Sequence, residues 1–514
     1  MSRNIGKKSL RAFLWTLLGL VLLLIAIPIL LYVPVVQDFA VKIATQQVSK
    51  STGMKIGIGK LRLGFPLKLK VEEASVIMAN GDTMLTSARL AVDVRLMPLL
   101  KGEIEVSGAE LESAFYQLGN NDSVMWLRAN VNRADIDGSE INLKTGRIDL
   151  STVDIDGVRV RLRMLNDTTT TPVDTAQATP WNVNADRITI SNLAYEMSME
   201  PIIDSLGCMV DMMELRDGHF DMATKKIYGR SLQVDSVTAA YIYPLVGNGT
   251  STDMSTDSVT AVESDLWTIT ADSLRLTARS GLYAQKGVRP AKGFDPSYIE
   301  VSDVNIEVDS FFNKGTAIRV PLKNLSANER CGLMFHADGL FEMDSKKMSA
   351  RDFSIETLRS SLLVNAEMGM GDLLTDRSLP LGLKASGRID PKEIIMAFPD
   401  MKAMLKPVTP ISLSADIEGT PSLLNVYTLD LRMPTLAHIA LEGEISNPFN
   451  PEKIGGQLNI DGTLSTITDK QFAFLPIKTV PALSINGTVD YYPQKVSGDV
   501  VLMTGGGKLA GAGR

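Results

Sequence analysis

The chain has 514 residues, a formal net charge of −7, 45% hydrophobic residues and only 6% aromatics. That length holds several ordinary domains or one long repetitive one, and the mildly acidic balance gives no electrostatic footprint for nucleic acid. Two cysteines, Cys208 and Cys331, are too few for a disulfide scaffold. A single bridge between them stays open. His219, His336 and His438 are too far apart for a metal-ligand spacing and read as ordinary surface or strand residues.

Taken in chain order, the first element is an uninterrupted apolar run, Ala12 to Val33, preceded by Arg3, Lys7, Lys8 and Arg11 and by no acidic residue. As a helix it rises about 33 Å at about 1.5 Å per residue, enough to cross a hydrocarbon core of about 30 Å. Tyr32-Val33-Pro34-Val35-Val36 contains no small-residue cleavage site, so the run reads as an uncleaved signal anchor rather than a buried core helix. Trp15 and Tyr32 suit the two interfaces, and the basic stub at 1–11 belongs on the cytoplasmic side. Pro28 predicts a kink, which bilayers tolerate. Residues 34–514 are then expected across the membrane.

A short amphipathic helix is expected next. Val36, Phe39, Ala40, Ile43, Ala44 and Val48 share one face, Lys42, Gln46 and Lys50 lie elsewhere, and Gly53 suits a C-cap. Such a helix either lies on a membrane surface or plugs the end of a β structure. Its two lysines are few for a dedicated surface helix, which favours the plug.

From Lys55 the apolar period becomes two. Leu67 to Val71, Val158 to Met164, Ile299 to Val301, Val304 to Val308 and Ile411 to Ile417 all alternate, which puts one face in an apolar environment and the other in water. Asn80-Gly81 and Asn486-Gly487 read as tight turns between strands. Two internal similarities stand out. Asp135-Ile136-Asp137-Gly138 recurs as Asp154-Ile155-Asp156-Gly157. Trp181-Asn-Val-Asn-Ala185-Asp186-Arg-Ile188-Thr-Ile190 matches Trp267-Thr-Ile-Thr-Ala271-Asp272-Ser-Leu274-Arg-Leu276. In both Trp copies the apolar positions are odd up to the Ala and even after the Asp, a phase change that predicts a bulge or strand break. Repeats of strand and turn point to an elongated all-β sheet. Asp390 as N-cap with Pro391 after it opens a short helix whose apolar face is Ile394, Ile395, Ala397 and Phe398. Asn166–Pro180 and Gly247–Asp265 are polar and read as loops.

Little in the chain carries chemistry. The Asp-x-Asp-Gly pairs lack the further ligands of a calcium loop, and strand-connecting turns explain them as well. Gly505-Gly506-Gly507-Lys508 lacks phosphate-loop spacing, and no G-x-S-x-G occurs. A glycosidase carboxylate pair would need an aromatic-lined cleft in a chain poor in aromatics. No catalytic residue, metal ligand or cofactor is assigned. The 24 methionines, Met209, Met212 and Met213 among them, suit core filling or a soft, adaptable apolar surface.

The stretch Ala91-Val-Asp-Val-Arg-Leu-Met-Pro98-Leu-Leu-Lys-Gly102-Glu-Ile104-Glu-Val106-Ser-Gly-Ala-Glu-Leu111 resembles the N-terminal signature of AsmA-like proteins. It follows an anchor, a short helix and a Gly-rich first hairpin at Gly53–Phe65, as in that family. Ile411 to Pro448 resembles repeats of the TamB branch, through Ala415-Asp-Ile-Glu-Gly419, Leu429-Asp-Leu431 and Ala440-Leu-Glu-Gly443-Glu-Ile445. The resemblance implies a taco-shaped, groove-forming β-sheet anchored in the inner membrane of a diderm bacterium, with its bulk in the periplasm. It implies divisions at 34–165 (helix plus first sheet) and 181–514 (continuing groove), the chain being expected as a piece of a longer member, with a shorter AsmA-like member as the alternative. It further implies carriage of phospholipid toward the outer membrane, with Leu67, Leu69, Val71, Val158, Val160, Leu162, Ile299, Val301, Ile411 and Leu413 lining the groove. The alternative is an assembly factor for outer-membrane β-barrels whose exposed sheet edge adds to a nascent barrel strand, with an outer-membrane barrel protein as partner through a further C-terminal region.

Overall fold

A computed structural model of the chain describes residues 33–34, 37–38, 42, 49 and 54–513, apart from 65–67, 79–80, 96–104, 120–122, 143–144, 166–179, 201–202, 245–265, 374, 403–408, 435, 469–478 and 494. The anchor expected at 12–33 and the two polar stretches lie, but for their last or first residues, outside the described residues. So do Leu67 and most of the helix expected at Val36–Val48. No helix among the described residues is long and apolar enough to cross a membrane. Pro34, Gln37, Asp38, Lys42 and Ser49 are helical. Two contacts seat them on the first strand. Arg62 Nη1 donates to Asp38 Oδ1 at 2.7 Å, and Ser49 Oγ accepts from Ile56 N at 3.1 Å.

The chain divides into two compact units, Met1–Pro201 with Met209–Thr224, and Ile202–Cys208 with Lys225–Arg514. The first holds β1 (Lys55–Gly64), β2 (Lys68–Ile77), β3 (Thr83–Val94), β4 (Glu105–Leu118), β5 (Met125–Asn142), β6 (Arg147–Leu165), β7 (Asn182–Glu200) and the later part of β8 (Ile203–Asp221). From β1 to β6 each strand pairs antiparallel with its predecessor, while β7 pairs parallel with β6, Arg147 opposite Asn182.

One feature of this unit explains how long strands keep a single apolar face. Glu73, Ser113, Gly157 and Asn192 have φ of 54°, 49°, 68° and 56°. In the register Gly59, Glu73, Ala88, Ser113, Asn132 and Gly157 fall opposite one another, each skipped by the regular pairing. At this row the apolar parity flips: Leu69 and Val71 before, Ala74 and Val76 after; Val153 and Ile155 before, Val158 and Val160 after. An inserted, unpaired residue shifts the alternation by one, and because every strand inserts one at the same level, the apolar side chains stay on one side. Gly157 is required there, since a Cβ at its φ would lie 2.0 Å from Asn132 Nδ2.

The second unit runs as β9 (Lys226–Tyr243), β10 (Thr268–Gln285), β11 (Tyr298–Lys314), β12 (Ala317–Glu329), β13 (Met334–Met343), β14 (Lys347–Thr357), β15 (Ser361–Gly369), β16 (Leu381–Ile389), β17 (Ile411–Thr420), β18 (Leu423–Met433), β19 (Ala437–Ser446) and β20 (Gly455–Leu464). A separate two-stranded ladder, β21 (Ile467–Thr468) and β22 (Thr479–Val480), follows. The sheet then continues with β23 (Leu483–Tyr492), β24 (Lys495–Thr504) and β25 (Gly507–Gly513). The pair β9–β10 is parallel and every later pair antiparallel. The two parallel-entering strands, β7 and β10, are the two Trp copies of the sequence. In both the pairing skips the Asp: Leu150↔Ala185 is followed by Thr152↔Arg187, and Gly229↔Ala271 by Ser231↔Ser273. Asp272 faces Ser310, whose φ is 54°. The strands continue through with their register unshifted at this point, so the predicted phase change is one residue skipped in each paired strand, neither a one-sided bulge nor a break.

Three local expectations are corrected. Gly81 does lie between β2 and β3, at φ 90°, but Asn486-Gly487 lies inside β23. Gly487 is glycine because a Cβ would sit 2.2 Å from Asp499 O of the neighbouring strand. The two Asp-x-Asp-Gly segments are likewise strand interiors, facing each other as Asp135↔Asp154. The helix α1 (Pro391–Ala397) forms as expected, with Asp390 accepting from Lys392 N at 2.9 Å. Its buried residues, however, are Pro391, Glu393 and Ala397, and Phe398 is 50% exposed. Glu393 replaces an apolar contact because its carboxylate accepts from Thr357 Oγ1 (2.6 Å), Arg359 N (3.0 Å) and Ser360 Oγ.

Candidate functional site: the apolar faces

In the first unit directly opposed residues form unbroken apolar rows. Leu61, Val71, Leu90, Leu111, Ala134, Ile155 and Ile190 make one. Leu69 lies on the adjacent row, opposite Leu63 and Val92. Val158, Val160 and Leu162 lie beyond the left-handed row, opposite Val131, Ala129 and Leu127. A cavity of about 250 Å³ spans that row. Leu90 and Leu111 line it from one side and Ala74, Leu85, Tyr116 and Val131 from the other, so both stretches share the face.

In the second unit a single row crosses from β9 to β25. It runs Val234, Leu276, Ile306, Leu325, Ala337, Ile355, Leu362, Gly387, Leu413, Leu431, Ile439, Gly462, Ile485, Leu502 and Leu509, interrupted by nothing more polar than glycine. Leu413 is therefore in the row, with Ile411 beside it opposite Ile389. Ile299 and Val301 sit near the end of β10–β11, opposite Tyr283 and Gly281. Tyr283 stacks on Tyr241 at 5.5 Å.

A recess of about 460 Å³ on this face was not foreseen from the sequence. Phe341, Met348, Met368, Leu383, Ile417, Leu424 and Phe449 line it. Its methionines belong to the soft apolar surface that the composition allowed, but nothing in the alternation alone placed them together. Phe449 comes from the loop between β19 and β20, which is tied down where Arg377 Nη2 donates to Asn447 Oδ1 at 3.1 Å.

The opposite face is polar and charge-matched. Lys68 Nζ donates to Glu110 at 2.6 Å, which raises the lysine and lowers the carboxyl from their ordinary values. Arg161 meets Glu196 at 2.6 Å, and Lys347 meets Glu367 at 2.7 Å. Asp149 is held low by the Asn184 amide (2.6 Å) and then by Arg147. Exposed pairs of this kind add only about 0–1 kcal/mol each; their effect is to make one face strongly hydrophilic. Cys208 and Cys331 are both free thiols. Burial, with a smaller contribution from Glu329, pushes Cys331 up to about 11, away from nucleophilic use.

Among the described residues no large side chain is fully buried, and the buried apolar set is mostly Ala and Val. A packed sandwich core hides its Leu, Ile and Phe side chains. Compared with family models, with curated proteins and with solved structures, the chain finds no match in any of the three.

Proposed function

We propose that the protein binds and carries lipid, its acyl chains lying on the apolar rows of the two units while headgroups stay in water. The reading rests on one observation: apolar rows that run from strand to strand through each unit with their large side chains only half-buried. Apolar surface of this extent is costly in water, at roughly 25 cal/mol per Å², and contiguous apolar patches of this kind mark interaction sites. The AsmA-like sequence pattern supports phospholipid as the cargo and the inner membrane as its source. No step of carriage needs a nucleophile or a general base.

The test is photo-crosslinking in cells from a benzophenone amino acid at Val160, Leu413 or Leu431, with Arg161 and Ser412 on the opposite face as controls. Phospholipid adducts from the first three positions and not from the controls are expected. Adducts to protein alone would show the rows to be an ordinary core.

A further inference from the structure

At one end of the strands of the second unit, α1 clamps the β10–β11 and β14–β15 connections, and Arg330 of the β12–β13 turn joins them. The β14–β15 turn is held by Glu393, with Asp390 N donating to Ser360 Oγ at 2.9 Å. The β10–β11 connection is held where Phe294 N donates to Ala397 O at 2.7 Å, and Arg330 Nη2 ties in Gly293 O at 2.6 Å. The clamp fixes an outward-facing pattern. Leu358 is 76% exposed at the tip of its turn, and Phe398 is 50% exposed at the end of α1. A flexible loop would fold such side chains inward; here the backbone beneath each is bonded in place.

Charge follows the same division. Asp390 caps α1, Asp295 accepts from Ala291 N and Ser297 N, and Glu393 is engaged as described. Those carboxylates are turned onto the protein. Arg289, Lys292, Lys392 and Lys402 are exposed, with no ion pair among the described residues; Asp400, and Glu356 two residues before Leu358, are exposed carboxylates beside these four cations. The rim is a locally cationic outlier in an acidic chain.

We infer that this α1 rim docks on an anionic lipid surface, with Leu358 and Phe398 inserted among the acyl chains and the four cations at headgroup level. Projecting apolar tips ringed by cations suit a fluid interface, which closes around convex side chains, whereas a folded partner would need a groove matched to each tip. The inference does not depend on lipid being carried along the rows.

The test uses the full chain, kept soluble in phosphatidylcholine nanodiscs, and flotation with vesicles of phosphatidylcholine alone or mixed with phosphatidylglycerol. Binding is expected only to the mixed vesicles. Arg289→Gln, Lys292→Gln and Lys392→Gln together should weaken it by about two orders of magnitude, at roughly fivefold per basic residue. Leu358→Ser with Phe398→Ser should also weaken it, and Tyr427→Ser, which removes an exposed aromatic on β18, should leave it unchanged. Equal binding to neutral vesicles, retention of binding by both rim variants, or capture by poly-glutamate beads in place of mixed vesicles would overturn the inference. Failure here with crosslinked lipid at Leu413 would leave the cargo reading standing, and the converse result would sink that reading alone.

Discussion

The sharpest test of an uncovered apolar face is the substitution Leu413→Ser. Leu413 is half-buried on β17, flanked by Gly387 on one side and Leu431 on the other. Gly387 offers no side chain, and the space a Cβ would take there is approached by Leu362 Cδ2 at 2.9 Å. Full burial of a leucine is worth about 1.5–3 kcal/mol, so a half-buried one in a single layer should lose about 1 kcal/mol on becoming serine. Under a second packed layer, the lost transfer energy and the cavity would together reach roughly 3–5 kcal/mol. Amide exchange across β17 and β18 of the full chain reads this local opening directly. Lipid added to the wild type should raise protection there by mass action, and the variant should gain much less. A loss near 4 kcal/mol, unchanged by lipid, would refute the single-layer argument.

Two further outcomes follow from the geometry. Gly487→Ala should cost roughly 3 kcal/mol, because its Cβ would press on the β24 backbone, while Gly81→Ala, in open space at φ 90°, should cost only about 1–2 kcal/mol of backbone strain. Exchange rates of the Asp499 and Val500 amides report the first cost and those of the Met78 and Gly81 amides the second, and equal costs would return Gly487 to a turn. Asp149 has a lowered native pKa, so its contribution is complete above the ordinary aspartate value and is lost as pH falls through the lower native one. Protection where β6 meets β7 should therefore drop between about pH 5 and pH 2 in the wild type. In Asp149→Asn it should be weaker at neutral pH and flat across that window; a parallel acid drop in the variant would exclude Asp149 as the cause.

Much of this was legible in the sequence. Period-two alternation located the strands, and the N-cap pair Asp390-Pro391 located α1. The odd-to-even switch after Ala185 and Ala271 located two skipped residues, because one residue left out of the pairing flips parity without ending a strand. Other features left no signal. Parallel and antiparallel strands alternate alike, so nothing marked β6–β7 and β9–β10 as parallel. Asn486-Gly487 looked like a turn since glycine serves both tight turns and close strand approach, and only the neighbouring strand tells them apart. Phe398 looked buried on a helical wheel, yet the polar clamp of Glu393 turned α1 the other way. The Phe341–Met348–Met368–Phe449 recess joins residues from several strands and a loop, a proximity no short window contains.

The two parallel pairings also set an order of assembly. A chain that emerges N-terminus first can add each antiparallel strand as it appears, because its partner has just been laid down. Across β6–β7 the paired residues are 35 positions apart, and across β9–β10 they are 42 apart except at the shift where Ala278 meets Val237. Closing such a span rather than a tight turn costs about 2 kcal/mol, some three doublings at roughly 0.6 kcal/mol each. Growth should therefore pause twice, at β6 and at β9. At each pause a finished strand presents an open edge of nearly twenty residues, the point at which a chaperone has most to protect.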